Sequence, residues 1–350
     1  MFRYLVYICI LTVVALSVLS IASHVGEYRN PISFEIPRSV SRAWSHNDSI
    51  RTVFVGDIML DRAVAREARK LGKENVFAGI VHLFQGADAV IGNFEGTMST
   101  RHSIAIPGSS TLRFTFDPAF APILRQAGFT AVSLANNHSL DFGHDADTET
   151  REYIHASDML TFGSALNSKE LSTIIPIQDE SLCMVGYHDL FVPDPALVLE
   201  EITTIRPSCS RLVVFVHWGS EYTHVPSARQ RLLAQSFIDA GADLIIGAHP
   251  HVVQPVEIYK GKAIFYSLGN FVFDQNFSFD TMHGLLVDVV WDRETTHFTL
   301  VPVSIVKGQV SVAQDAARGR VLDTVVGQDL DPTIVAAIRT TGGFSLENSQ

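Results

Sequence analysis

One local arrangement recurs through this chain and constrains its fold: a short apolar run that stops on a side chain able to hold a metal ion. It is densest between Phe215 and Asp274, in FVHWGSEY, IIGAHPHVVQPVE and AIFYSLGNFVFD. His217, His249 and His251 each fall at the C-terminal end of such a run. Runs such as Leu212–Val216 and Leu244–Ile246 read as strands buried on both faces. Ligands of open α/β sheets bind outside the carboxyl ends of the strands. Imidazoles at these ends therefore converge on one crevice. The arrangement also occurs earlier: TVFVGD ends in Asp57, DAVIGNFEG carries Asn93 and Glu95, and TAVSLANNHSLDFG carries Asn136, Asn137 and His138.

Helix-like segments separate the runs, at Asp61–Leu71, Pro118–Gly128 and Pro226–Ala240, which predicts parallel βαβ units. After Asn270, GLLVDVVW and HFTLVPVSIV follow without a helix and read as an antiparallel pair turning at Arg293–Thr296. The expected fold is a layered α/β sandwich. Its main domain spans 51–310, and a C-terminal extension over 311–350 includes a poorly packed tail from Gln328. At the other end, residues 1–22 carry one Arg and then an uncharged run from Tyr4 to Ala22. That run reads as a single signal-anchor spanning the membrane, with a cleaved signal peptide as the alternative. Residues 23–50 are polar, contain Pro31 and Pro37, and read as a tether. The expected location is the cell membrane with the domain on the extracytoplasmic side, or secreted or periplasmic after cleavage.

Lys plus Arg number 26 against 37 Asp plus Glu, a net charge of −11, which argues against nucleic acid as a partner. The three cysteines have no CxxC spacing, so a cysteine-rich zinc site is excluded. Cys183 falls in an apolar run and reads as a core residue; the alternative, outside the cytosol, is a Cys183–Cys209 disulfide.

Carboxylate, amide and imidazole together make a mixed O/N ligand set, suited to Mn, Fe or Zn rather than to Mg or Ca. Asp57, Asn93, Glu95, Asn137, His217, His249 and His251 exceed what one tetrahedral ion needs, so one or two divalent ions are expected, a bridged pair accounting for them better. Each residue has a plainer reading taken singly. Asp57 could be a turn or helix-cap residue, the asparagines could satisfy loop backbone, and His217 could be a packed histidine. Their recurrence at five strand ends favours the metal.

These residues carry a resemblance. GDIMLDR (Gly56–Arg62), DAVIGNFEG (Asp88–Gly96), AGFTAVSLANNHSLDFG (Ala127–Gly143), HWGSEY (His217–Tyr222) and GADLIIGAHPHVVQPVEIYKGKAIFYSLGNFVFDQ (Gly241–Gln275) resemble the bacterial CapA family of capsule or poly-γ-glutamate biosynthesis proteins, related to calcineurin-like metallophosphoesterases. The resemblance implies an α/β/β/α sandwich of metallophosphatase type with metals at its strand ends. It makes Asp57, Asn137, His217, His249 and His251 ligands, and puts His138 where phosphoesterases keep the histidine that assists the leaving group. The chain departs from the phosphoesterases in two places: Met59 stands where they have a histidine, and Asn93-Phe-Glu95 replaces their second aspartate loop, with Glu95 the replacement ligand.

The expected function is that of a metal-dependent hydrolase of capsule or poly-γ-glutamate metabolism. Metal-activated water is the nucleophile and His138 the acid. Glu221 is a further catalytic candidate or a surface charge, Arg113 an anion-binding group, and Asn270 and Gln254 hold the imidazoles or the substrate. The expected partners are an anionic polymer such as poly-γ-glutamate or a capsule precursor, and membrane synthetase subunits. The rival is a non-catalytic export or anchoring component. A polyanion handled by an acidic domain further requires Arg62, Arg101, His102 and Arg113 to gather at the mouth of the site.

Overall fold

The computed structural model describes residues 49–104, 112–191 and 193–348. The expected anchor over 1–22 and nearly all of the tether lie outside the described residues. Among the described residues no helix is long and apolar enough to cross a membrane.

In chain order the elements are β1 (Ile50–Ile58), α1 (Arg62–Leu71), α2 (Val81–Phe84), β2 (Ala89–Phe94), β3 (Thr97–Met98), β4 (Thr115–Phe116), α3 (Phe120–Ala127), β5 (Ala131–Ser133), α4 (Gly143–His155) and β6 (Leu160–Phe162). Then come β7 (Ser172–Ile177), β8 (Glu180–His188), α5 (Ala196–Ile205), β9 (Arg211–His217), α6 (Ala228–Asp239), β10 (Leu244–Ala248), β11 (Val256–Tyr259), β12 (Lys262–Phe265) and β13 (Asn270–Val272). The chain closes with β14 (His283–Trp291), β15 (Thr295–Val306), β16 (Gln309–Val312), α7 (Asp315–Val325), α8 (Pro332–Thr341) and β17 (Gly343–Glu347). The result is a mixed α/β fold with two large sheets. One runs β16-β15-β14-β1-β2-β5-β6, with β13 on β1 and β17 on β15; the other runs β11-β12-β10-β9-β8-β7.

The two-residue period of the strands sorts side chains between two faces. Phe54, Ile91, Phe162, Met184, Phe215 and Ile246 share one apolar core to which both sheets contribute. The alternate residues of the first sheet, Val53, Val55, Val90 and Val132, pack with α1–α4 through Val64, Phe84, Leu124 and Ile154. Those of the second, Val185, Leu212, Val214 and Ile245, pack with α5 and α6 through Ile202, Leu233 and Phe237. The expected helices form with the stops their sequences dictate. Gly128 ends α3 with φ 117°, and Ser227 opens α6 in a reciprocal capping box with Gln230. The predicted antiparallel pair is β14–β15, with Trp291 opposite Thr296.

Two expectations are corrected. The C-terminal extension is packed: Val321, Leu322, Val325, Ile338 and Phe344 join the shared core, and β17 pairs with β15 from Thr295 to Thr299. Cys183 is indeed buried, but it is disulfide-bonded to Cys209, 26 residues on.

The sheets meet at the segment Tyr266–Asn270, which leaves β12 of one sheet and enters β13 of the other. Leu268 donates its N–H to Gly247 O of β10, Leu285 of β14 donates to Leu268 O, and Asp57 of β1 donates to Gly269 O. The approach is possible because β1 and β10 present glycine. A Cβ at Gly56 would lie 1.8 Å from Gly269 O, and one at Gly247 2.0 Å from Tyr266 O.

Candidate metal centre

Asp57, at the end of β1, has Asn93 of β2 and Asn270 of β13 as its neighbours across the sheet. Asn93 Nδ2 donates to Asp57 Oδ1 (2.8 Å) and stands 3.2 Å from His217 Nδ1, while Asn93 Oδ1 accepts from Asn136 Nδ2 (3.1 Å). Asn93 therefore turns a donor toward the carboxylate and aligns the other groups. His217, ending β9, lies on its other side 2.7 Å from Asn137 Oδ1. His249 and His251 follow β10 in the left-handed region, with φ 92° and 57°, a strain that must be held by the surrounding structure. The His249 N–H reaches Asp57 Oδ2 at 3.3 Å. His251 Nδ1 lies 2.9 Å from Asn270 Oδ1 and 3.2 Å from Asp57 Oδ2. Both partners are acceptors, so Nδ1 is the donor, and Nε2 lies 3.7 Å from Glu95 Oε1.

Donor atoms of Glu95, His217 and His249 all lie within 4.8 Å of one another, as do those of Asp57, Glu95 and His251. Glu95, the expected replacement ligand, is common to both groups, and Met59 is buried against the Asp61 N–H instead. Glu95 Oε1 and His249 Nδ1 are buried without a hydrogen-bond partner among the described residues. Burial, and then the Asp57 carboxylate, push the Glu95 carboxyl well above its ordinary range. Burial holds His249 at about 3, reinforced by His251, and holds His217 well below the ordinary imidazole value, reinforced by His249. A buried cation answers both penalties, since it favours carboxylate and neutral imidazole alike. Two orphaned donor atoms aimed into a thiolate-free O/N cluster fit a divalent ion.

The remaining predicted residues divide. His138 joins the cluster: Nε2 is 3.9 Å from Glu95 Oε1, Nδ1 is 2.8 Å from Asp141 Oδ2, and its ring packs on Phe114 at 4.3 Å. Asn270 Oδ1 lies 2.9 Å from His251 Nδ1. Arg113 borders His138, donating from Nε to Asp141 O (2.7 Å). Glu221 is exposed at the rim, and its charge adds to the upward push on Glu95. Gln254 bonds no site imidazole; it accepts from Gln230 Nε2 and donates to Thr223 O. Of the expected basic rim, Arg62 stacks on Phe114 and Phe273, Arg101 is exposed and paired with Glu149, and His102 is exposed.

Three further residues were given no role from sequence. Asn136 holds Asn93, and Asp141 fixes His138; both lie inside the NNHSLD stretch that supplied their neighbours. His188, ending β8 beside His217, donates Nδ1–H to Ala165 O (2.8 Å), and burial lowers it to about 4. Its run, LCMVGYHD, carries the same strand-end signal as the others.

A buried centre of oxygen and nitrogen donors at the strand ends of a two-sheet α/β protein defines a class of sites able to hold metal. Comparison with known proteins supplies the family. The family described as bacterial capsule synthesis protein PGA_cap matches residues 51–275. The capsule biosynthesis protein CapA of Bacillus anthracis is 31% identical over 283 residues, covering 75% of this chain and 69% of that protein. The PGA biosynthesis protein CapA of Bacillus subtilis (strain 168) is 30% identical over 276 residues, covering 74% and 72%. The chain belongs to the PGA_cap family of bacterial capsule synthesis proteins. Among solved structures, a hypothetical protein from Thermus thermophilus is similar with a TM-score of 0.45 and 15% identity, over 75% of this chain and 98% of that one.

Proposed function

We propose that this protein is a metal-dependent hydrolase of capsule or poly-γ-glutamate metabolism, of metallophosphatase-type α/β/β/α fold, tethered to the membrane on its extracytoplasmic side. The observation that carries the chemistry is Glu95, common to two buried donor groups and faced at 3.9 Å by His138 Nε2. The Cys183–Cys209 bond supports an oxidising compartment, and the uncharged run Tyr4–Ala22 supports the tether.

Asp57, Glu95, His217, His249 and His251 would hold one or two Mn, Fe or Zn ions, with Asn137 beside His217. Such an ion supplies a water of near-neutral pKa and polarises the substrate oxygen. Asn93 and Asn270 keep the ligands aligned, and the buried walls exclude bulk water. His138, its Nδ1–H tied to Asp141, presents Nε2 to the cluster and in its protonated form gives that proton to the leaving group. Arg113 stands at the rim for an anionic chain.

A second reading, a non-catalytic component that holds the polymer beside membrane synthetase subunits, is favoured by Met59 in place of a histidine.

Elemental analysis of the full-length protein and of His249→Ala, with turnover of γ-glutamyl polymer and of phosphodiesters, separates the two. Metal and turnover lost together in the variant are expected. Metal without turnover, with capsule still formed by His138→Ala cells, selects the scaffold. A wild type that takes up neither Mn nor Zn refutes the centre.

A further inference from the structure

We propose that Arg62 reads the substrate's charge by binding the carboxylate on the leaving-amine side of a γ-glutamyl amide. The inference rests on the hydrolase reading above and names its substrate. In a γ-glutamyl polymer the amide nitrogen is bonded to an α-carbon that also bears a free carboxylate. On hydrolysis the carbon–nitrogen bond breaks and the water oxygen joins the acyl carbon. The nitrogen takes the His138 Nε2 proton, and the water's proton restores the imidazole. The departing amine thus carries a carboxylate two bonds from the atom that His138 protonates. A site built for this bond needs a cation beside its acid.

Arg62 stands there. Its guanidinium lies 5.1 Å from the Phe114 ring and 5.7 Å from Phe273. Phe114 packs on His138 at 4.3 Å and Phe273 on His251 at 4.8 Å. One ring therefore separates the guanidinium from each of two site imidazoles. Nε (3.1 Å) and Nη2 donate to Asp274, whose Oδ2 also accepts the Ala63 N–H (3.0 Å). That pair orients the fork and leaves Nη1 with no hydrogen-bond partner among the described residues, on a side chain 23% exposed. The backbone of Arg62 is left-handed, φ 53°, where an arginine is kept only if the surroundings enforce it. The other charges near His138 are the acidic Glu95, Asp141 and Glu221 and the basic Arg113. Arg113 is tied by Nε to Asp141 O, whereas Arg62 offers Nη1, unpaired among the described residues, one ring away from His138, and a guanidinium suits a carboxylate better than an ammonium.

The test uses the full-length, manganese-loaded protein and two amides, γ-glutamyl-glutamate and γ-glutamyl-4-aminobutyrate, which differ only in the α-carboxylate of the leaving amine. Wild type should prefer the first in kcat/KM by roughly 10-fold or more, the scale of one charge-assisted hydrogen bond. Arg62→Gln should abolish the preference at wild-type metal content. Arg62→Gln/Asp274→Asn, which leaves no carboxylate unpaired, should do the same. Arg62→Lys, which keeps the charge and loses the fork, should retain only part of it. No preference in wild type, or an unchanged one in Arg62→Gln, overturns the proposal. Calorimetric binding of a short γ-glutamyl oligomer decides the case if neither amide is cleaved. Binding weakened at least several-fold in Arg62→Gln upholds carboxylate recognition while the hydrolase reading falls; equal binding sinks both.

Discussion

Replacing Glu95 by Gln should make the metal-free protein more stable and the metal-loaded protein worse off. The Glu95 carboxyl is held well above its ordinary 4.5 in the folded state. The stability it contributes is therefore complete below about pH 4.5 and is lost as pH rises through the folded value. His217 and His249 work the other way: held below 6.5, they contribute stability above that pH and lose it as pH falls, for His249 toward about 3. Without a cation no pH suits all three. An amide at position 95 can accept the Asn93 hydrogen bond through its oxygen and donate its N–H toward Asp57, as a protonated Glu95 does. Relieving one unsatisfied buried polar group is worth about 1–3 kcal/mol. At roughly 2–4 °C per kcal/mol for a domain of this order, the metal-free variant should melt about 2–12 °C above metal-free wild type at pH 8. Manganese at 100 times its Kd should raise wild type by about 2.7 kcal/mol. The variant, deprived of the ligand common to both groups, should gain almost nothing. Scanning calorimetry with chelator and with metal gives both comparisons. A metal-free variant that melts below wild type, or one that metal stabilises equally, refutes the reasoning.

Two further outcomes follow from named contacts. Asp141→Asn removes the charged acceptor that fixes His138 Nδ1–H; turnover should fall by roughly 10²-fold at unchanged metal content, measured by kinetics with elemental analysis. Cys183→Ser/Cys209→Ser opens a loop of 26 residues' separation and should cost about 3.5 kcal/mol by loop-closure entropy, read as a lower urea midpoint; an unchanged midpoint contradicts it.

The sheet and most of the centre were legible because β1, β2, β9 and β10 each carry an apolar stretch that gives way, at or beside the strand's C-terminal end, to a polar side chain. Asp57, His217 and His249 announce both a strand end and a candidate ligand. Asn136 and Asp141 escaped because their role is to hold another side chain, and hydrogen-bond pairing leaves no spacing signal. His188 escaped although its run looks like the rest, being a single imidazole where the later histidines cluster. The C-terminal helices α7 and α8 escaped for a different reason. The burial of each depends on a core assembled from strands as near in the chain as β15 and as far back as β1. The Cys183–Cys209 pairing likewise depends on β8 and the entry to β9 lying side by side.

The crossing at Tyr266–Asn270, where glycines let main chain touch main chain, has a bearing on how this site can diverge. Asp57 and Asn270 sit where main chain meets main chain with no side chain between to trade, so drift there is nearly forbidden. The rim is different, since Arg62 stands at a helix start and Arg113 in a loop, both outside that crossing. A lineage could exchange them for other polymers while inheriting the same centre unaltered.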